Sequence, residues 1–138
     1  MDKINTDHLQ KCIDTLAKSF VFLGRAEEDT IEYEMYRNSL VKGFEITLEQ
    51  SGKLLRKKIT PYFASKKEVD QLVFKDIFRH ASYHGLIDDE QVNRWLEYRD
   101  NRNNTAHDYG IEFAEITLKL AETLIEDAQK LKDLIDNG

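Results

Sequence analysis

The apolar residues of this 138-residue chain recur at steps of three and four, the spacing that places side chains on one face of an α-helix. Only 1 proline and 6 glycines are present, so few positions force the backbone out of a helical conformation. No segment of useful length alternates apolar and polar residues, as a half-buried strand would. The pattern predicts an all-α protein without strands.

Breaks in the apolar spacing divide the chain into five predicted helices. Ser65-Lys-Lys-Glu68 has the form of a capping box, which opens a helix, and Gly85 is a typical residue to close one. We predict an up-and-down bundle of four long helices with one additional short helix, forming a single domain over residues 1–138. The predicted helices cover about 9–24, 30–59, 65–85, 87–102 and 113–134.

Several apolar residues are assigned to the core from their spacing. In the third helix these are Leu72, Val73, Ile77 and Phe78. Trp95 is interpreted as an anchor of the core or of a dimer interface, and the single cysteine, Cys12, as a small core residue. Near the C-terminus, Leu131 and Leu134 either pack inside the monomer or supply surface for homodimerisation, and the sequence leaves both alternatives open.

Charge and composition exclude several classes of protein. The formal net charge of −6 disfavours broad electrostatic binding to nucleic acid and predicts no DNA binding, although a local site for one or a few phosphates remains compatible with it. The longest apolar run is about four residues, far short of the roughly 20 that span a bilayer. With no signal-peptide pattern and one cysteine, the sequence predicts a cytoplasmic protein that does not enter the membrane.

One polar segment, residues 99–109, places three groups suited to phosphoester chemistry within eight positions. Arg102 offers a planar, permanently charged fork of donors that matches phosphate oxygens. His107 can exchange a proton near neutral pH. Tyr109 adds a hydroxyl group and a ring that could contact a base or accept a transferred group. This segment is the candidate functional site.

The spacing of Arg102 and His107 constrains how they could meet. Five residues along an unbroken helix correspond to about 140° around its axis, too divergent for one ligand. The helix must therefore end or distort between them, or the site must be built from two chains. The plain alternative is that Arg102 pairs with a nearby acid, such as Asp100 or Asp108, while His107 caps a helix end.

The string Arg102-Asn103-x-x-x-His107-x-Tyr109 resembles the signature of the HEPN superfamily. More narrowly, it resembles the branch known as nucleotidyltransferase substrate-binding proteins. Three further segments are similar to that branch, and the resemblance covers roughly residues 30–125. These segments are Tyr36–Lys53, Phe74–His80 with Gly85–Asp88, and the surroundings of Trp95.

The resemblance implies a homodimeric four-helix bundle, with the two motifs facing a shared cleft, and a separate minimal nucleotidyltransferase as partner. The first hypothesis is a subunit that binds the nucleotide or RNA through Arg102, Asn103, His107 and Tyr109. The second is a metal-independent endoribonuclease toxin with Arg102 and His107 as catalytic residues, silenced when the partner adds AMP to Tyr109. A third is a helical adaptor without activity. No cofactor is predicted.

Three further groups of residues have a functional and a plain interpretation. His80 and His84 have a spacing that could hold a metal, but no third ligand is apparent, so no metal site is predicted. Glu45, Glu49 and Lys53 form either a solvated salt-bridge ladder or part of the active cleft. One cluster of basic residues could attract RNA or an acidic partner, or it could serve only solubility and pairing with helix ends. Its members are Lys53, Arg56, Lys57, Lys58, Lys66 and Lys67.

Overall fold

The computed structural model describes residues 3–104 and 111–137, with side chains for residues 3–102 and 115–137. The described residues are helical and contain no strand, which confirms the all-α prediction. A 3-10 turn, Thr60–Tyr62, contains Pro61 and follows the second helix. The helices are α1 (Asp7–Arg25), α2 (Ile31–Ile59), α3 (Lys66–Asp70), α4 (Phe74–Tyr83), α5 (Asp89–Asn104) and α6 (Ile111–Asn137).

Among the four long helices of the bundle, α1 runs antiparallel to α2 and to α6, and α5 runs antiparallel to α6. Helix α2 packs against every other helix of the described chain and forms the centre of the bundle. Side-chain hydrogen bonds join the start of α1 to the end of α6 and the end of α1 to the start of α2. They are Thr6 to Asp136 (2.6 Å), Gln10 to Gln129 (3.0 Å) and Ser19 to Ser39 (2.7 Å).

Local signals in the sequence set several helix ends. The Thr30 hydroxyl accepts a hydrogen bond from the Tyr33 amide, which caps the N-terminus of α2. Asp88 and Gln91 exchange reciprocal backbone-to-side-chain bonds of 2.8 and 2.9 Å, which form a capping box ahead of α5. Gly85 has a φ of 77°, the left-handed conformation expected of a residue that terminates a helix.

The predicted third helix, 65–85, is wrong as a single element, because the chain forms α3 and α4 with a break at residues 71–73. The Arg56 guanidinium donates to the carbonyls of Val69 and Leu72, and so satisfies acceptors that a continuous helix would have used itself. Val73 is extended and 61% exposed, so its predicted place in the core is wrong too. Leu72 is half-buried, while Ile77 and Phe78 are buried as predicted.

The break lets α4 approach α2 closely at one glycine. A Cβ atom added at Gly52 would lie 2.9 Å from the Phe74 ring, whereas one at Gly43 would lie 3.5 Å from Leu16, an ordinary contact. Gly52 is therefore needed for close helix packing, one of the two reasons that the sequence suggests for a glycine inside a helix.

The core is continuous and includes most of the residues assigned from spacing. Trp95 is 1% exposed and Leu131 is 3% exposed within the single chain, whereas Leu134 is half-buried. Cys12 is buried, and this burial raises the pKa of its thiol. Of the helices in the described part of the chain, none combines the length and the apolar character that a bilayer-spanning segment requires.

Candidate functional site

The candidate site is organised by the buried face of α5. Trp95 and Tyr98 are three residues apart and point into the core, and Arg102 follows four residues later on the same side of the helix. Trp95 stacks on Phe78 of α4, with ring centroids 4.8 Å apart, and meets Tyr98 edge-on at 5.5 Å. These rings fix the rotation of α5, and Arg102 is therefore directed toward α2.

Arg102 is held by two carboxylates of α2. Its Nη2 donates to Oε1 of Glu49 at 2.6 Å and lies 3.6 Å from Oε1 of Glu45. The Arg102 and Glu45 side chains are 28% and 29% exposed, and that of Glu49 is 50% exposed. The group combines one cation with two carboxylates that lie 53 (Glu49) and 57 (Glu45) residues earlier in the chain.

This arrangement positions the guanidinium without blocking it permanently. An ion pair as exposed as Arg102–Glu49 is worth about 0–1 kcal/mol. A guanidinium can donate two parallel charge-assisted hydrogen bonds to a phosphate. A phosphate can therefore compete with Glu49 for Arg102, and Glu45 and Glu49 keep the Arg102 side chain near one place.

The structure places both acidic residues of α2 against Arg102. Glu45 and Glu49 pair with α5 rather than forming a solvated ladder along α2 alone, and their role in an active cleft stays a prediction. Asp100, which the plain alternative offered as a partner of Arg102, lies 3.4 Å from Lys75 of α4. The plain alternative was thus right that Arg102 pairs with acids, but the acids include two from another helix.

A buried hydrogen bond between α5 and α6, next to Arg102, was missed by the sequence analysis. Asn101 is 7% exposed, and its amide donates to the buried Thr117 hydroxyl of α6 at 3.0 Å. A polar pair with both members buried is a specific link between α5 and α6, because either group left alone would lack a partner. The available signal was spacing: Asn101 lies three residues beyond Tyr98, on the buried side of α5.

One turn earlier, a buried network also joins α5 to α6. Asp127, which is 3% exposed, accepts two hydrogen bonds from the Arg94 guanidinium (2.8 and 2.9 Å) and one from the Tyr98 hydroxyl (2.6 Å). Burial, and then the bond to Asp127, raise the pKa of Tyr98 above its usual value. The hydrogen bond to Asp127 likewise raises the pKa of Arg94. The network holds α5 to α6 just before the candidate site.

Three of the predicted site residues lie partly or wholly outside the described residues. Asn103 belongs to α5, but its side chain is not described, and His107 and Tyr109 fall within 105–110. The predicted distortion between Arg102 and His107, and the possible pairing with Asp108, fall in the same interval. Of the predicted site, the structure therefore describes Arg102 with its acidic partners.

The two histidines of α4 and its C-cap contact aromatic rings. His84 stacks on Tyr62, with ring centroids 3.9 Å apart and an interplanar angle of 7°, and His80 meets Phe63 edge-on at 4.9 Å. Among the side chains of residues 3–102 and 115–137, no group of three His, Cys, Asp or Glu is arranged to hold a metal ion. Among the clustered basic residues, Arg56 stabilises the break between α3 and α4 through its hydrogen bonds to two backbone carbonyls.

Comparison with known proteins identifies the family. The family described as nucleotidyltransferase substrate binding protein like matches residues 5–137, nearly the whole chain. The chain belongs to this family. The predicted resemblance to the nucleotidyltransferase substrate-binding branch of the HEPN superfamily is thereby confirmed.

A curated protein and a solved structure, both from Haemophilus influenzae, are similar to this chain over almost their full length. The protein described as "Probable ribonuclease HepT" is 28% identical in an alignment that covers 96% of this chain and 93% of the relative. The solved structure of HI0074, described as the fold of a substrate binding domain of a nucleotidyltransferase, superposes with a TM-score of 0.80 at 23% identity. That match covers 95% of this chain and 98% of HI0074, and it supports the same helical-bundle fold.

Proposed function

We propose that this protein is the substrate-binding subunit of a two-component minimal nucleotidyltransferase and that Arg102 binds the phosphates of a nucleotide or of RNA. The observation behind the proposal is the placement of Arg102, fixed by the buried face of α5 and held at one nitrogen by Glu49 and Glu45. Membership of the nucleotidyltransferase substrate-binding family supports the choice of ligand and partner.

The proposed working unit is a cytoplasmic homodimer in which the segments 102–109 of both chains face one cleft. Arg102 neutralises phosphate charge, while Asn103, His107 and Tyr109 contact the remaining polar groups and the base of the ligand. The partner is a separate protein with the catalytic domain of the transferase. On a single unbroken helix, Arg102 and His107 would point about 140° apart. With two copies of the motif in one cleft, Arg102 of one chain and His107 of the other could contact the same ligand.

Replacing Arg102 with alanine should weaken nucleotide binding roughly ten- to a hundredfold, because charge-assisted hydrogen bonds to phosphate are lost. Glu49→Gln should instead strengthen binding a few-fold, because a competing carboxylate is removed. Isothermal titration with ATP and with AMP measures both effects. The matched control is Arg25→Ala, an exposed arginine on α1, which should bind like the wild type.

The partner role has its own test. The protein is expressed with a separate minimal nucleotidyltransferase, the proposed partner, and one of the two carries an affinity tag. A stable complex that also binds nucleotide supports the proposal. Free subunits in combination with unchanged nucleotide binding in Arg102→Ala would contradict it and leave the adaptor as the explanation.

A second candidate function is a metal-independent endoribonuclease, favoured by the similarity to the relative described as a probable ribonuclease. In this scheme His107 removes the proton from a 2′-hydroxyl, whose oxygen attacks the adjacent phosphorus as the bond to the 5′-oxygen breaks. A protonated group delivers a proton to that leaving oxygen, and Arg102 balances the charge on the phosphorane. The transferase would silence the site by joining AMP from ATP to the Tyr109 oxygen, with release of pyrophosphate.

The ribonuclease predicts cleavage of a mixed RNA in EDTA, with a rate at least about a hundredfold lower in His107→Ala because general acid–base catalysis is lost. After incubation with partner and ATP, mass spectrometry should find an adduct of AMP mass that is absent from Tyr109→Phe. An inert protein at high concentration would remove the ribonuclease. An unmodified Tyr109 would remove the silencing step while leaving nucleotide binding as a separate result.

A further inference from the structure

A second polar and aromatic surface lies at the opposite end of α4 from Arg102. A cleft of about 440 Å³ is lined by aromatic rings, two histidines, Arg79 and Asp76. Tyr83 is 85% exposed and Tyr62 is 48% exposed, unusually high values for tyrosines of a compact domain. We define the aromatic platform as Tyr62, Phe63, His80, Tyr83 and His84.

The rings of the platform are ordered by contacts with one another. Tyr62 and His84 are nearly parallel at 3.9 Å, and Tyr83 meets the His84 ring edge-on at 5.3 Å. Phe63 and His80 form a neighbouring edge-on pair. The outer face of the stacked Tyr62–His84 pair and the exposed Tyr83 ring, which lies perpendicular to His84, can each stack on a planar group without losing much side-chain entropy.

The platform is flanked by the one strongly basic stretch of the chain. Residues 50–67 contain six lysines and arginines and no acid, and the net charge of −6 for the whole chain therefore leaves −12 elsewhere. Lys57 and Lys58 precede the turn that holds Tyr62, and Lys66 and Lys67 follow Phe63 by three and four residues. At no more than about 3.6 Å per residue, the Cα atoms of these lysines lie within roughly 20 Å of those rings.

We propose that the aromatic platform and its flanking lysines bind a single-stranded polynucleotide. Unpaired bases stack on Tyr83 and on the Tyr62–His84 pair, and Lys57, Lys66 and Lys67, all exposed, neutralise the phosphates. Rings that stack on bases, with lysines close enough along the chain to reach neighbouring phosphates, are the combination that such ligands require. An acidic protein would pair with the lysines but would have no need of exposed, ordered rings.

The binding site is independent of Arg102 and goes beyond the proposed function. The test uses a fluorescently labelled 12-nucleotide RNA with 2′-O-methyl groups, which an endoribonuclease cannot cleave, and the DNA strand of the same sequence. Fluorescence anisotropy in EDTA is measured at several salt concentrations. The two strands distinguish an RNA from a DNA ligand, and a duplex of the same length tests the need for unpaired bases.

Tyr83→Ala should weaken single-strand binding about five- to fiftyfold, since one stacked base is lost. The double variant Lys66→Glu/Lys67→Glu should weaken it further and lower the salt dependence of the affinity. The matched control Lys11→Glu/Lys18→Glu changes two exposed lysines of α1 and should bind like the wild type. Added to Arg102→Ala, the Tyr83→Ala substitution should weaken single-strand binding by about the same factor as in the wild type, because the two surfaces act separately.

Circular dichroism of each variant confirms that it is folded, which is expected for Tyr83 and the lysines because their side chains are exposed. Three outcomes would overturn the proposal: an unchanged affinity in Tyr83→Ala, a duplex bound as tightly as the single strand, or no further loss of affinity when Tyr83→Ala is added to Arg102→Ala. A polyglutamate peptide bound as tightly as the oligonucleotide would also overturn it and identify the surface as one for acidic proteins.

Discussion

Replacing Trp95 with alanine should lower the free energy of unfolding by about 4 kcal/mol, the largest effect expected of any single substitution in this chain. Trp95 is 1% exposed and contacts the Phe78 and Tyr98 rings, so alanine would leave a cavity between α4 and α5 and remove two aromatic pairs. Urea unfolding followed by circular dichroism measures the change.

Trp95→Phe provides the control, because it keeps a ring in contact with Phe78 and should cost less than half as much. Trp95 is the only tryptophan, so its fluorescence in the wild type reports directly on this part of the core. An alanine variant within 1 kcal/mol of the wild type would contradict the packing described here. Because Arg102 lies seven residues further along α5, Trp95→Ala should also weaken ligand binding in the folded protein.

The second large effect is expected at Asp127, where alanine should lower the free energy of unfolding by about 3 kcal/mol. The substitution leaves the fully buried Tyr98 hydroxyl without its acceptor and Arg94 without its carboxylate. In thermal unfolding this corresponds to a decrease of roughly 10 °C for a chain of this size. Glu126→Ala, an exposed neighbour on α6, should change the free energy by less than about 0.5 kcal/mol.

The same network predicts a loss of stability in alkaline solution. The pKa of Tyr98 is higher in the folded protein than in the unfolded chain, so its contribution is complete below the unfolded value of about 10. The contribution falls as the pH rises from about 10 toward the folded pKa. Urea unfolding at pH 7 and pH 11 should reveal a smaller alkaline loss in Tyr98→Phe than in the wild type, and equal losses would contradict the assignment.

Local residue patterns predicted much of the scaffold. The apolar spacing predicted the four long helices, and turn and capping residues such as Ser65 and Gly85 predicted where helices begin or end. Such signals act over three or four residues, so they are present in the sequence itself. The same local reasoning failed at residues 71–73, because the stabilisation of that break comes from Arg56 on another helix.

For the candidate site, too, some features follow from the local sequence and others only from contacts between helices. The sequence by itself determined which residues form the motif, Arg102 to Tyr109, and therefore the kind of ligand that it suits. Only the tertiary structure decided that Glu45 and Glu49 hold Arg102 and that Asn101 and Asp127 tie α5 to α6. These partners are separated by 16 to 57 residues, and no periodicity specifies which polar side chains will meet once the apolar faces have packed.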